Sequence, residues 1–360
     1  MWHRGACGPR AAARIGVHEA LAQGVFAVNS VWIQLRSMFL LLWCCMRVAW
    51  RRIGAANRPA PRPFRVDALQ LFLRTGIEDG LAAPLDVGRR RIPPTLVPPS
   101  LRRKLRGPEV LVLGDRPAEL ITPQTWQAEA PTLLYLHGGG YVACSPATHR
   151  ALAAALAVEA GARVYSLDYR LAPEHPFPAA IDDCVAAYRA LLAAASAGSR
   201  RIILAGDSSG GGLVMATLLS IKQLALPMPA AGVLFSPWVD LTFSSGSLRT
   251  NESTCYLVRA SLPVYRRAYL GERDPKQPQA SPLFADLRGM PPLLIQAGGA
   301  EMLRDEAEAL ARAAEAVGGR VQLDVEPRLF HAYQTAVAVL PEAQQAVARA
   351  AAFIRASCAD

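Results

Sequence analysis

Gly206-Asp207-Ser208-Ser209-Gly210 sets a serine hydroxyl between glycines, with the strand-like run Arg201-Ile202-Ile203-Leu204-Ala205 before it. After it come Gly211-Gly212 and the apolar run Leu213-Val214-Met215-Ala216-Thr217-Leu218-Leu219, which predicts a buried helix. A G-x-S-x-G between strand and helix is a nucleophile elbow: a sharp turn holds the hydroxyl clear of the backbone, and small neighbours avoid clashes. The five-residue pattern alone is weak, and its surroundings give it weight. Upstream, the apolar strand Leu133-Leu134-Tyr135-Leu136 runs into His137-Gly138-Gly139-Gly140-Tyr141. Glycines let backbone N–H groups approach a ligand closely and point at developing negative charge, which is the chemistry of an oxyanion hole.

A serine of this kind needs a base and an acid, in the chain order Ser, Asp/Glu, His. Of six histidines, His3, His18, His137, His149 and His175 precede Ser208, and only His331 follows it. His331 lies in Arg328-Leu329-Phe330-His331-Ala332-Tyr333, just after the strand-like segment from Arg320 to Val325. The acid should follow a strand between the two. Leu293-Leu294-Ile295-Gln296-Ala297 is such a strand, followed by Gly298-Gly299-Ala300-Glu301-Met302-Leu303-Arg304-Asp305-Glu306. Glu301 is the first carboxylate after the turn. Asp305 stands four residues on and remains an alternative, although acids there also suit a helix N-terminus.

These motifs closely resemble the hormone-sensitive-lipase-like (family IV) serine esterases, the fold-3 group of α/β-hydrolases. The resemblance rests on His137-Gly138-Gly139-Gly140-Tyr141, on Tyr169-Arg170-Leu171-Ala172-Pro173-Glu174-His175-Pro176-Phe177-Pro178-Ala179-Ala180 and on Gly206 to Gly211. Ser236-Pro237-Trp238-Val239-Asp240-Leu241-Thr242 and Ser281-Pro282-Leu283 add to it, and it covers about residues 109 to 357. It implies an α/β-hydrolase fold, with Ser208 as nucleophile, His331 as base and Glu301 as acid. Backbone N–H groups of Gly139, Gly140 and Ser209 would bind the oxyanion, with His137 and Gly138 as the rest of that motif. It implies no metal and no organic cofactor. The family usually has aspartate where this chain has Glu301, so the charge here sits on a side chain one methylene longer. The Tyr169–Ala180 run is read as scaffold around the site.

From Thr132 onward, strand-like runs alternate with helical ones and close with a helix from about Glu342 to Ile354. That alternation predicts an α/β fold with a mostly parallel central sheet and helices on both faces. The stretch between Asp240 and Gly271 breaks the alternation and is expected to contribute to a cap. The net charge of +10 would suit a nucleic-acid binder, but its distribution does not. Residues 1–107 hold 18 Lys+Arg against 5 Asp+Glu, whereas residues 108–360 hold 21 against 24. The expected organisation is a poorly ordered tail (1–20), a basic, partly helical cap or extension (21–107) and a catalytic domain (108–360).

Within the extension, Met38 to Met46 is strongly apolar, but Arg36 and Arg47 bracket only ten residues, far short of the ~20 that span a bilayer. No clean signal peptide is visible. A helix capping the site is one reading, weak membrane-surface contact through residues 31–52 a second, and a true start near Met38 or Met46 a third. Seven scattered cysteines without C-x-x-C spacing point to free thiols and a cytoplasmic setting, with Cys184 in the core. The expected activity is hydrolysis of short- to medium-chain carboxylic esters through an acyl-enzyme. A lactone, amide or carbamate hydrolase with the same triad is the alternative, and a non-catalytic ligand-binding protein of this fold a remote one. The expected partner is a small ester, not nucleic acid, and a homodimer stays open.

Overall fold

The computed structural model describes residues 37–52, 62–195 and 198–359. The tail expected over 1–20 lies outside them. By its internal contacts the chain divides into residues Met1–Asn57 and Arg58–Asp360. In the first unit, residues 37–52 form helix α1, where the Arg47 guanidinium lies 4.7 Å from the centre of the Trp43 ring. No described helix is long and apolar enough to cross a membrane.

The second unit opens with helices α2 (Phe64–Leu81), α3 (Leu85–Arg91) and α4 (Pro99–Arg102). It continues with an eight-stranded sheet: β1 (Glu109–Leu113), β2 (Arg116–Ile121), β3 (Thr132–Leu136), β4 (Arg163–Leu167), β5 (Ile202–Asp207), β6 (Ala231–Phe235), β7 (Leu293–Gly298) and β8 (Val321–Glu326). The spatial order is β1-β2-β4-β3-β5-β6-β7-β8. β2 runs antiparallel to both its neighbours, and β3 through β8 are mutually parallel. The hairpin β1–β2 extends the alternation read from Thr132 onward. β1 is apolar from Val110 to Leu113 but turns Val110 and Val112 to solvent at the sheet edge, and Pro117 and Glu119 break the apolar character of β2.

Helices cover both faces. Along β3, Leu134 and Leu136 join the core on the side of α6 (Ala179–Ala194), α7 (Ser209–Gln223) and α10 (Arg304–Ala316), while Leu133 and Tyr135 join the core on the other side. That second core contains α5 (Pro146–Ala160) and α11 (Pro341–Ser357). The period-2 alternation of strand side chains divides one apolar run between two cores. α7 is buried nearly all round, as its composition predicts, and Cys184 is fully buried on α6. Between β6 and β7 the chain forms the short helices α8 (Ser247–Thr250) and α9 (Ser261–Leu270), where the sequence pattern breaks, and a 3-10 turn at Pro282–Phe284.

The part of the extension in this unit is tied to the body by side chains that reach backbone carbonyls. On α2, Gln70 Nε2 donates to Cys255 O (3.0 Å), and Arg74 donates to Glu252 O (2.8 Å) and Cys255 O (3.2 Å). On α3, Arg89 donates to Val142 O (2.6 Å), Ala172 O (2.6 Å) and both carboxylate oxygens of Glu174 (2.8 and 2.9 Å). One guanidinium therefore joins the extension, the loop after the glycine triplet and the Tyr169–Ala180 run. Removing it leaves two carbonyls without that donor, while the exposed Glu174 carboxylate returns to water. Arg89→Ala should cost about 1–3 kcal/mol in urea unfolding. Arg90→Ala, which loses only an exposed pair with Asp86, should change stability by less than about 0.5 kcal/mol.

Candidate active site

Five parallel strands deliver the candidate residues at their C-terminal ends, where open α/β sheets bind ligands. β3 runs into His137–Gly140, β5 into Ser208, β6 into Ser236, β7 into the turn bearing Glu301 and β8 into the loop bearing His331.

Ser208 is the junction between β5 and α7, with φ 54° and ψ −123°. A non-glycine residue there carries strain of about 1–3 kcal/mol, offset by surrounding contacts. Its N–H donates to Phe235 O (2.8 Å), and its carbonyl accepts from Gly212 N (3.1 Å) and Trp238 N (2.9 Å). The flanking glycines are a matter of space. A Cβ on Gly206 would stand 2.5 Å from Gly210 O and 2.7 Å from Leu136 O, and one on Gly210 would collide with Leu136 O.

The glycine loop lies against this elbow. Gly139 takes φ 118°, and a Cβ there would run into Ala143 O. Tyr141 N donates to Ser209 Oγ (3.2 Å) and Gly138 N to Asp207 Oδ1 (3.0 Å), so the loop is bonded on both sides of Ser208. Among the described residues, the backbone N–H groups of Gly139, Gly140 and Ser209 donate to no protein acceptor. Two of these unused donors lie in the glycine loop that is bonded to either side of Ser208, and the third belongs to the residue after it; unused N–H donors are what stabilisation of an oxyanion requires.

Glu301 and His331 are both buried, and Glu301 Oε1 lies 3.8 Å from His331 Nδ1. Neither atom has another hydrogen-bond partner, so each is the other's nearest polar option. Closing the gap by about 1 Å would make a full hydrogen bond; such bonds are often long before substrate binds. The other carboxylate oxygen, Oε2, accepts from Ser236 Oγ (2.6 Å) and Gly298 N (3.0 Å). Ser236 Oγ in turn accepts from Ala332 N (2.9 Å). The Ser236 hydroxyl thus bridges Glu301 to Ala332, the residue following His331. Asn251 Nδ2 donates to Glu301 O (2.8 Å), and the Tyr256 ring lies 5.6 Å from the imidazole.

Asp305 points elsewhere. It begins α10, accepts from Ser247 N (2.7 Å) and pairs with Arg304 (2.7 Å), which hold its carboxyl below the ordinary value although burial alone would raise it. Ser236 was read from sequence only as part of a Ser-Pro-Trp landmark; its bridging role depends on residues 65 and 96 positions away. Arg170 forks onto Asp183 (2.7–3.0 Å), consistent with the scaffold reading of its segment.

A family model described as alpha/beta hydrolase fold matches residues 133–335. An acetyl-hydrolase of Streptomyces hygroscopicus is 43% identical over 248 residues, which cover 69% of this chain and 82% of that protein. An esterase of Acinetobacter venetianus is 39% identical over 230 residues, 63% of this chain and 76% of the other. A solved esterase from the bacterial hormone-sensitive lipase family superposes with a TM-score of 0.76 at 39% identity, over 83% of this chain and all of that one. The esterase EstE5, crystallised and soaked with p-nitrophenyl butyrate, gives 0.77 at 36% identity, over 82% and 99%. The chain belongs to the α/β-hydrolase family and, within it, to the hormone-sensitive-lipase-like esterases.

His137 opens the glycine motif as a fully buried ring. Its Nδ1 donates to Gly138 O (2.7 Å), Nε2 has no partner, and the ring stacks on Tyr169 at 4.3 Å. Burial, reinforced by the neighbouring His149, lowers its pKa to about 3. The unfolded ring takes up a proton near pH 6.5, which the folded ring refuses until about 3. Its contribution is therefore complete above pH 6.5 and is lost as pH falls towards 3, by up to about 1.4 kcal/mol per pH unit. Urea unfolding between pH 6 and 4 should be less acid-sensitive in His137→Gln than in the wild type; equal slopes would mean that the folded ring is charged.

Proposed function

We propose that this chain is a serine carboxylesterase acting on short- to medium-chain esters. Ser208 Oγ attacks the ester carbonyl while His331 accepts its proton, and the same imidazole then protonates the departing alcohol. Glu301 orients the ring through Nδ1 and balances the imidazolium charge. The N–H groups of Gly139, Gly140 and Ser209 hold the tetrahedral oxyanion, and water, activated by the same base, releases the acid. The observation that carries this reading is the strained Ser208 turn, with unused N–H donors at Ser209 and in the glycine loop bonded to residues on either side of it. The relatives named acetyl-hydrolase and esterase, and the butyrate ester soaked into EstE5, support a small acyl group.

The extension is proposed to belong to the cap. α2 holds the carbonyls of Glu252 and Cys255, adjoining Tyr256 and hence the acid–base pair. Scattered free thiols support a cytoplasmic setting.

Rates on p-nitrophenyl esters of graded chain length, with a lactone and an anilide alongside, test the substrate class. Activity should peak at short acyl chains; a lactone or anilide turned over faster than any ester would overturn the ester assignment. Ser208→Ala should lower kcat by about 10⁴-fold or more and abolish labelling by a fluorophosphonate. A probe that labels Ser209 instead would sink the nucleophile.

The acid has its own test. Glu301→Gln should cost on the order of 10⁴ in kcat, because the amide cannot balance the imidazolium. Asp305→Asn should cost less than about tenfold, acting only through the start of α10. A reversal of the two effects would make Asp305 the acid.

A further inference from the structure

Asp207, the residue before the nucleophile, takes no part in the proposed proton transfers, yet its buried carboxylate joins three separate segments. Oδ1 accepts from the Tyr135 hydroxyl (2.6 Å) and from Gly138 N (3.0 Å). Oδ2 stands 3.2 Å from Nε2 of His149, a buried histidine on α5. Gly138 immediately precedes the two glycines whose N–H groups are unused, and Asp207 immediately precedes Ser208. One carboxylate thus sets the spacing between nucleophile and oxyanion donors.

A buried carboxylate needs a compensating cation, and His149 is placed to supply it. The other histidine nearby, His137, is excluded because it is held neutral. The second nitrogen of His149, Nδ1, lies 2.8 Å from the Thr148 hydroxyl, so both ring nitrogens face oxygen. Burial works against charge on this ring, but the Asp207 carboxylate outweighs it and raises the pKa. Burial would likewise raise Asp207, and His149 reverses that to a net lowering. The remaining groups around the pair are the Tyr135 and Tyr169 hydroxyls and the Cys144 thiol, which burial pushes upward, so they stay neutral at ordinary pH.

We propose that His149 is a positioning residue for the oxyanion hole: through Asp207 it fixes Gly138, and thereby aims the N–H groups of Gly139 and Gly140 at the oxygen that becomes charged in the transition state. The inference rests on Ser208 being the nucleophile, and it assigns a role to a helix 58 residues from Asp207 in sequence. A positioning error of this kind affects the transition state rather than the bound ester. About 1 Å of misplacement can cost on the order of a hundredfold in rate.

The test uses the full chain and four variants. His149→Ala should lower kcat on p-nitrophenyl butyrate by about tenfold to a hundredfold with KM within about threefold of wild type. Affinity for a trifluoromethyl ketone, which forms the tetrahedral adduct, should fall by the same factor as kcat/KM. His149→Gln, whose amide can still donate to Asp207, should recover part of the loss. If His149→Ala does not fold, by circular dichroism, Asp207→Asn and Tyr135→Phe weaken the same carboxylate and should show the same kcat-only pattern, larger for the former. Unchanged kcat in folded protein, or a loss confined to KM, or an undiminished ketone affinity, would overturn the role of His149. Fluorophosphonate labelling separates the two readings: a wild-type enzyme labelled elsewhere than Ser208 fails the proposed function, whereas labelling at Ser208 with no His149 effect fails only this inference.

Discussion

The site depends on how closely three stretches of backbone approach one another: the end of β3, the end of β5 and the start of α7. Leu136 O lies where a Cβ on Gly206 or Gly210 would have to go. Because no side chain intervenes, α7 can begin directly over the sheet, and the chain must reverse from strand to helix within one residue. Ser208 takes the left-handed conformation that this reversal requires, and the same tight packing offsets its strain. The consequence is chemical: an exposed hydroxyl, a helix whose first N–H groups are unsatisfied, and a glycine loop within reach of both.

The acid and base are arranged by different means. No single tight turn holds them; the loops after β7 and β8 are bonded to each other and to the end of β6. Gly299 N donates to Glu326 O (2.8 Å) and Ala300 N to Leu329 O (3.0 Å), which fixes the path of the chain into His331. Ser236 then binds both the Glu301 carboxylate and Ala332 N. Phe235, its neighbour, accepts from Ser208 N, so β6 is the element that relates Glu301 and His331 to Ser208. The extra methylene of Glu301, relative to the aspartate usual in the family, is taken up within this cage.

Two buried carboxyl groups near the site show how environment decides charge. Asp207 has a histidine, a tyrosine hydroxyl and a backbone N–H about it and is held below its ordinary pKa against the effect of burial. Glu306 accepts only from Val239 N and Asp240 N (3.1 and 3.0 Å), with its other oxygen unpartnered. Burial, and after it the nearby Asp240 charge, raises Glu306 well above the carboxylate range. The environment of the first favours its charged form beside the glycine loop, and that of the second favours its neutral form where it braces the turn after β6.

The sequence by itself determined the central strands, the serine turn and the glycine loop, because each depends on residues adjacent in the chain. A fully buried strand must be apolar throughout, and a turn with no room for side chains must contain glycine. Chain order and the histidine count singled out His331 for the same reason: the constraint could be applied to one residue at a time. The edge hairpin β1–β2 escaped, since exposed valines and an interrupting proline carry no such local signature. The sequence favoured Glu301 as the first carboxylate after the strand and left Asp305, four residues on, as an alternative. Only the tertiary structure decided that the first turns inward to His331 while the second, in the first turn of α10, bonds to Ser247. It likewise bonded Ser236 to both Glu301 and Ala332, and His149 to Asp207. Such pairings join segments tens of residues apart, and their partners are set by how the helices pack on the sheet, which no local spacing records.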